Sequence, residues 1–201
     1  MVLINHLLGL LLQPQQEWQA IRDNPKSITQ CYLELILILA LIPPFAGFYG
    51  TTEIGWQLGW ETPVKLTVAS ALPIAVLYYL AILVAIFLVG KAIHWMAETY
   101  GAKPTLADCV KLAAFTATPL LLVGVVQFYP VLWVNFLAGL PALAYTVYLL
   151  YTGVPVIMNI SQERGFLFSS AVLTFGLVSL VALLAGTVIL WSLGFAPAFT
   201  H

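Results

Sequence analysis

Glu34 is the ionisable side chain set deepest in an apolar run, about one helical turn inside the stretch 31–49. A carboxylate at mid-bilayer costs about 2.5–3.5 kcal/mol, so an acid in such a run is read first as a functional site. Glu34 lies near enough to the end of its run to reach water, and an interfacial role outweighs a functional or interhelical one. The next group is Lys91, His94 and Glu98. His94 and Glu98 are one turn apart, and Lys91 shares their helical face. Asp108 and Lys111 flank Cys109 across a short loop carrying Lys103, and Arg164 stands in a later loop. A metal site from His94, Glu98, Asp108 and Cys109 can be drawn, but the spacing matches no ligand pattern. Charges at helix ends are normally solvated. The functional reading they support is a docking patch for a protein partner or anionic lipid. Tyr78, Tyr145, Tyr148 and Tyr151 carry hydroxyls into apolar runs, where an unpaired one costs on the order of 1–3 kcal/mol. Bonding between helices is a plainer role for them than ligand binding.

Patterns for catalysis are absent. The sequence has no G-x-S-x-G, no H-E-x-x-H, no Gly-rich phosphate loop and no paired intramembrane aspartates. We therefore expect a protein that is not an enzyme, with no catalytic residues, cofactor or metal. The net charge of −1 supplies no basic surface for nucleic acid. Cys31 and Cys109 do not form a disulfide framework.

Composition dictates what must position these residues. Hydrophobic residues make up 62% and charged ones 7%, against about 25% charged in ordinary globular chains. Mean hydropathy is +1.00. So few charges cannot cover a water-facing surface, and lipid must be the solvent. From Leu112 to Gln162 there is no Asp, Glu, Lys, Arg or His. A crossing takes about 20 apolar residues, so this stretch makes two crossings. The turn between them falls at Gln127-Phe128-Tyr129-Pro130, where proline interrupts the aliphatic run.

The fold expected is all-α: a polytopic membrane protein with five transmembrane helices plus an N-terminal amphipathic helix. Residues 1–24 are the amphipathic segment, with Ile4, Leu7, Leu8, Leu11, Trp18 and Ile21 on its apolar stripe. It can lie in the membrane interface or pack on the bundle. Leu7–Leu12 lacks the preceding basic residues and the cleavage site of a signal peptide. Residues 25–201 form one domain with spans at about 31–49, 72–94, 110–128, 131–158 and 166–191.

Local signals mark the joins. Asn24-Pro25 and Thr62-Pro63 read as cap-then-proline helix starts, the second leading into a short amphipathic stretch, Val64–Ala71. Pro43-Pro44 predicts a kink, Tyr100-Gly101 a turn, and Thr105 with Asp108 a capping box. Small-residue pairs at Ala81/Ala85, Ala113/Ala117, Ala138/Ala142 and Ala182/Gly186 offer helix contacts, and such faces also allow a homo-oligomer.

Basic residues set the orientation. With the N-terminus in the cytoplasm, Arg22, Lys26, Lys91, Lys103, Lys111 and Arg164 all fall on that side, against Lys65 on the other. The C-terminus is then outside. Trp18 and Trp95 sit at the inner interface, and Trp56, Trp60, Trp133 and Trp191 at the outer one.

Three stretches carry a family resemblance: Pro14…Trp18-Gln19-Ala20-Ile21, Leu106-Ala107-Asp108…Phe115-Thr116-Ala117-Thr118-Pro119, and Tyr148-Leu149-Leu150-Tyr151-Thr152-Gly153-Val154-Pro155. With the five-span topology, the chain resembles the Yip family of Ypt/Rab-interacting membrane proteins, in particular its bacterial members. That resemblance implies a domain in a bacterial inner membrane that works through partners or lipid: a scaffold or organiser. The runner-up is a small-solute or lipid transporter or channel, suggested by the prolines within spans. Eukaryotic relatives are linked to Rab GTPases through a longer cytoplasmic tail with an acidic-aromatic motif, which is not found in these residues.

Overall fold

The computed structural model describes residues 9–24, 27–58 and 62–192. The expectations for Ile4, Leu7, Leu8, Pro25, Lys26 and Trp60, and for the side chain of Trp191, lie outside what is described. Five helices are long and apolar enough to cross a membrane. The protein is an all-helical polytopic membrane protein. We name its helices α1 (Pro14–Asp23), α2 (Ile28–Ile54), α3 (Val68–Ala97), α4 (Leu106–Val123), α5 (Leu132–Met158) and α6 (Gln162–Ser192). Loops α3–α4 and α5–α6 share the charged end of the bundle with α1. Loop α2–α3 and the α4–α5 turn share the other end, which is uncharged at its core.

At the centre stands α4, and every residue from Cys109 to Thr116 is buried. A helix buried on all sides in a lipid-solvated bundle needs neighbours that come close on every face. Glycines permit this. A Cβ on Gly90 of α3 would lie 2.7 Å from Val110 Cγ2, and one on Gly153 of α5 would lie 2.6 Å from the Trp18 ring and 2.9 Å from Leu112. Gly124, just past α4, sits against Pro43 in the same way. Of the alanine pairs, Ala113 is buried and Ala117 half-buried, but Ala81 and Ala85 are exposed, and nothing lies within 4 Å of a Cβ on Gly186. Small-residue spacing recurs by chance in apolar helices; a close crossing also requires a partner at that height.

Two helix starts differ from the sequence reading. Asn24 closes α1, and Ser27 caps α2 in a box with Gln30: Ser27 Oγ accepts from Gln30 N and Gln30 Oε1 from Ser27 N. Thr62-Pro63 starts no helix either. Val64 pairs with Trp56 in an extended bridge, and α3 begins only after Thr67, whose Oγ1 accepts from Ser70 N. The Val64–Ala71 lead-in is therefore extended for its first half, because its backbone is already bonded to the preceding loop. Thr105 and Asp108 do form their capping box.

The bend in α2 falls just before its prolines. The ladder breaks at Ala40–Leu41 and a new segment starts at Ile42, placing Pro43 and Pro44 in a first turn where the missing N–H costs nothing. Turns of π-helix at Tyr32–Ile36 and Gly50–Ile54 widen α2 near both ends. A 3-10 turn, Gly124–Phe128, closes α4 where the hairpin turn is expected.

The close crossing at Gly153 gives a prediction. Gly153→Val should destabilise the detergent-solubilised protein by about 2 kcal/mol, an overpacking cost, while Gly176→Ala in open space should be neutral or stabilising. Thermal unfolding of the two variants tests this.

Candidate functional site at the charged end

The site is built on the N-terminus of α4. Asp108 divides its carboxylate: Oδ2 accepts from Thr105 N at 3.2 Å and Thr105 Oγ1 at 2.6 Å, while Oδ1 faces Lys111 Nζ at 3.3 Å. Lys111 lies one turn further on and is 2% exposed. Its ammonium also donates to the Asn24 carbonyl at 3.4 Å, at the end of α1. A buried lysine is tolerated only when paired and hydrogen-bonded. Here both conditions are met, and the cation fastens α1 to α4.

Further contacts seat α1. Trp18 is fully buried, its Nε1 donating to Thr152 Oγ1 at 3.2 Å. Ile21 is buried beside it. Tyr145 Oη donates to the Leu10 carbonyl at 2.7 Å, and Arg22 reaches the Val156 carbonyl at 3.5 Å. Partners thus advance together, Leu10 with Tyr145, Trp18 with Thr152, Arg22 with Val156. The segment runs beside α5 for about 16 Å, packed on the bundle.

The other candidate residues separate into exposed and structural sets. Lys91, His94, Glu98, Lys103 and Arg164 are exposed. On α3 the intervening Gly90, Ile93 and Ala97 are buried, which turns Lys91, His94 and Glu98 outward. Arg164, expected in a loop, lies in the first turn of α6 and reaches over the α3–α4 loop: a Cβ on Gly101, where φ is +75°, would lie 2.7 Å from its Nη1. Tyr100 stacks on Phe168 at 4.8 Å, tying the turn after α3 to α6. Lys111, and to a lesser degree Asp108, lie beneath this surface. Glu34 is exposed within the first π turn of α2. Cys31 and Cys109 are buried and not joined in a disulfide. Among the described residues no three His, Cys, Asp or Glu come together as for a metal ion.

The tyrosines act mainly between helices. Tyr151 Oη lies 2.8 Å from Ser170 Oγ, and Tyr78 Oη accepts from Gln127 at 3.3 Å. Tyr148 is 44% exposed and packs by ring against Tyr145 at 5.6 Å. Sequence reasoning missed Tyr32, which donates to the Leu83 carbonyl at 2.7 Å, and Tyr79, which donates to that of Leu37 at 3.2 Å. Both tie α2 to α3. Their signal was the same as for the other four, a phenol in an apolar run.

With this geometry in place, comparison with known proteins becomes informative. The Yip1 domain matches residues 8–183, which takes in α1 and nearly all of the bundle. The chain belongs to the Yip1 family. It is 43% identical over 192 residues to the inner membrane protein YohC of Escherichia coli strain K12, covering 96% of this chain and 98% of that protein. The same figures hold for YohC of Escherichia coli strain CFT073. No solved structure matches significantly. The chain is therefore an integral membrane protein of the inner-membrane kind.

For this site, Asp108→Ala should lower stability by about 2 kcal/mol or more, since it removes a helix cap and leaves a buried ammonium unpaired. Lys111→Met should cost less, because it takes the charge away and fills the same space. Equilibrium unfolding in mild detergent compares them.

Proposed function

We propose that this Yip1-family protein is a non-enzymatic membrane organiser that works through a partner docked on its charged end. The observation that carries this reading is the contrast at that end. Lys91, His94, Glu98, Lys103 and Arg164 are exposed on α3, the α3–α4 loop and the first turn of α6, while the frame beneath them is fixed by the pair of buried Lys111 with Asp108 and by the stacked Tyr100 and Phe168. A tied frame presenting exposed charges suits recognition. In this reading the charged end faces the cytoplasm, following the bias of basic residues, and the C-terminus lies outside. The partner is a cytoplasmic or membrane protein with an acidic surface.

A second reading, a small-solute or lipid transporter, draws on α2. Its two π turns and the bend before Pro43 are the kind of interrupted span that lines transport sites.

Two measurements test the proposal. In-cell cross-linking should capture a partner that falls by about tenfold in a Lys91→Glu/Lys103→Glu/Arg164→Glu variant, as loss of several exposed ion pairs predicts, and stays unchanged in Lys65→Glu. Cysteine labelling should reach Lys103→Cys from the cytoplasm and Trp133→Cys from outside. Capture indifferent to the triple change would remove the docking role, and labelling of both cysteines from one side would remove the topology.

A further inference from the structure

The opposite end of the bundle holds a cleft that the docking reading does not use. Its roof is hydrogen-bonded shut. Trp56 N and Val64 N each donate to the other's carbonyl, Gln57 N donates to the Pro130 carbonyl at 3.2 Å, and Leu132 N donates to that of Gln57 at 3.0 Å. Gly50 has no Cβ because the backbone carbonyl of Gln127 lies there. The α2–α3 loop is thereby bolted across the α4–α5 turn. Beneath it is a cleft of about 200 Å³ lined by Thr51, Trp56, Gln127, Leu132 and Asn135. A second cleft of about 190 Å³, towards Tyr78, shares Thr51 and Gln127 with it.

The lining is mostly apolar, with a few polar groups, none of them charged among the described lining residues. Asn135 spends its amide hydrogens on the Tyr129 and Val131 carbonyls, at 3.0 and 2.9 Å, and Gln127 donates to Tyr78. Gln127 Oε1 is turned over Gly47, where a Cβ would lie 2.9 Å away. Asn135 is thus left with acceptor capacity alone, and Gln127 with its carbonyl oxygen and one N–H. Trp56 adds an indole ring, 41% exposed. Two carbonyl-type acceptors and an aromatic ring suit an ammonium group carrying N–H donors, and no lining residue offers a cation to an anion.

Leu132 joins this cleft to an apolar groove along α5. The groove is about 420 Å³, lined by Leu58, Trp133, Phe136, Leu137 and Leu140, and follows α5 for about 12 Å. A soluble amine would fill the cleft and leave the groove empty. A lipid with an amine headgroup fills both.

We propose that this end of the protein binds an amine-headed phospholipid of the phosphatidylethanolamine class, its ammonium at Gln127, Asn135 and Trp56 and an acyl chain along Leu132–Leu140. The lipid comes from the leaflet at the end opposite the charged patch. Only the biological use of this site rests on the organiser reading, since its chemistry stands without it. Loss of partner capture with lipid binding intact, or the reverse, tells the two apart.

Native mass spectrometry of the full chain with phosphatidylethanolamine, phosphatidylcholine and phosphatidylglycerol vesicles gives the test. We expect phosphatidylethanolamine to be retained about tenfold over phosphatidylglycerol, with phosphatidylcholine, which lacks N–H donors, between them. Free phosphoethanolamine should not compete. Leu132→Trp, which plugs the junction, and Trp56→Leu, whose backbone keeps the roof, should each abolish the preference, whereas Leu183→Trp on the exposed face of α6 should keep it. A photoactivatable phosphatidylethanolamine should label residues 132–140 of the wild-type protein, which needs no variant to fold. Equal retention of the three lipids, or label spread along α6, would mean annular lipid only and overturn the proposal. Competition by phosphoethanolamine would overturn it in favour of a soluble amine.

Discussion

A leucine gains nothing by leaving a lipid tail for another leucine, so burial of α4 cannot be driven as the core of a water-soluble domain is. What encloses it is dispersion across close contacts, and those require backbone to approach side chain without a Cβ between. Gly90 against Val110, Gly153 against Trp18 and Leu112, and Gly124 against Pro43 meet that requirement on separate faces. The outer helices show the contrast. Only 6% of the most apolar window is buried in each of the spans containing α3 and α6, so these two serve as the boundary with lipid while α4 serves as the core.

Polar atoms then fix what packing leaves free. With few charges in the chain, each buried one must be satisfied nearby. Lys111 illustrates how strongly this constrains structure: its ammonium takes the Asp108 carboxylate from its own helix and a carbonyl from the end of α1. The Tyr32, Tyr79, Tyr145 and Tyr151 hydroxyls work in the same way over longer ranges, each joining segments that packing alone would let slide.

The two ends of the molecule are built for different company. One presents exposed Lys, His and Arg side chains over a tied frame, suited to recognition through charge. The other is closed by backbone hydrogen bonds around neutral amides and an indole.

Solvent class, span number and the hairpin turn at Gln127–Pro130 were already determined by composition and by charge-free runs, because the bilayer's thickness converts directly into residues per crossing. The family resemblance was legible in the same residues, as was the capping box at Thr105 and Asp108, a local feature set by spacing alone. Other points needed the tertiary structure. Asn24-Pro25 and Thr62-Pro63 were misleading starts because Ser27 with Gln30 and the Trp56–Val64 pairing compete for the same backbone. Ala81/Ala85 and Ala182/Gly186 were misleading contacts, unlike Ala113/Ala117, because spacing within one helix says nothing of the height at which a neighbour crosses. Lys111 read as part of a surface patch, since a sequence shows that a lysine stands three residues after an aspartate but not that α1 will cover it. For the described part of the N-terminal segment, packing on the bundle is seen at Trp18, whose partner Thr152 is 134 residues away. Contacts at that separation follow from how helices are stacked, which no local pattern encodes.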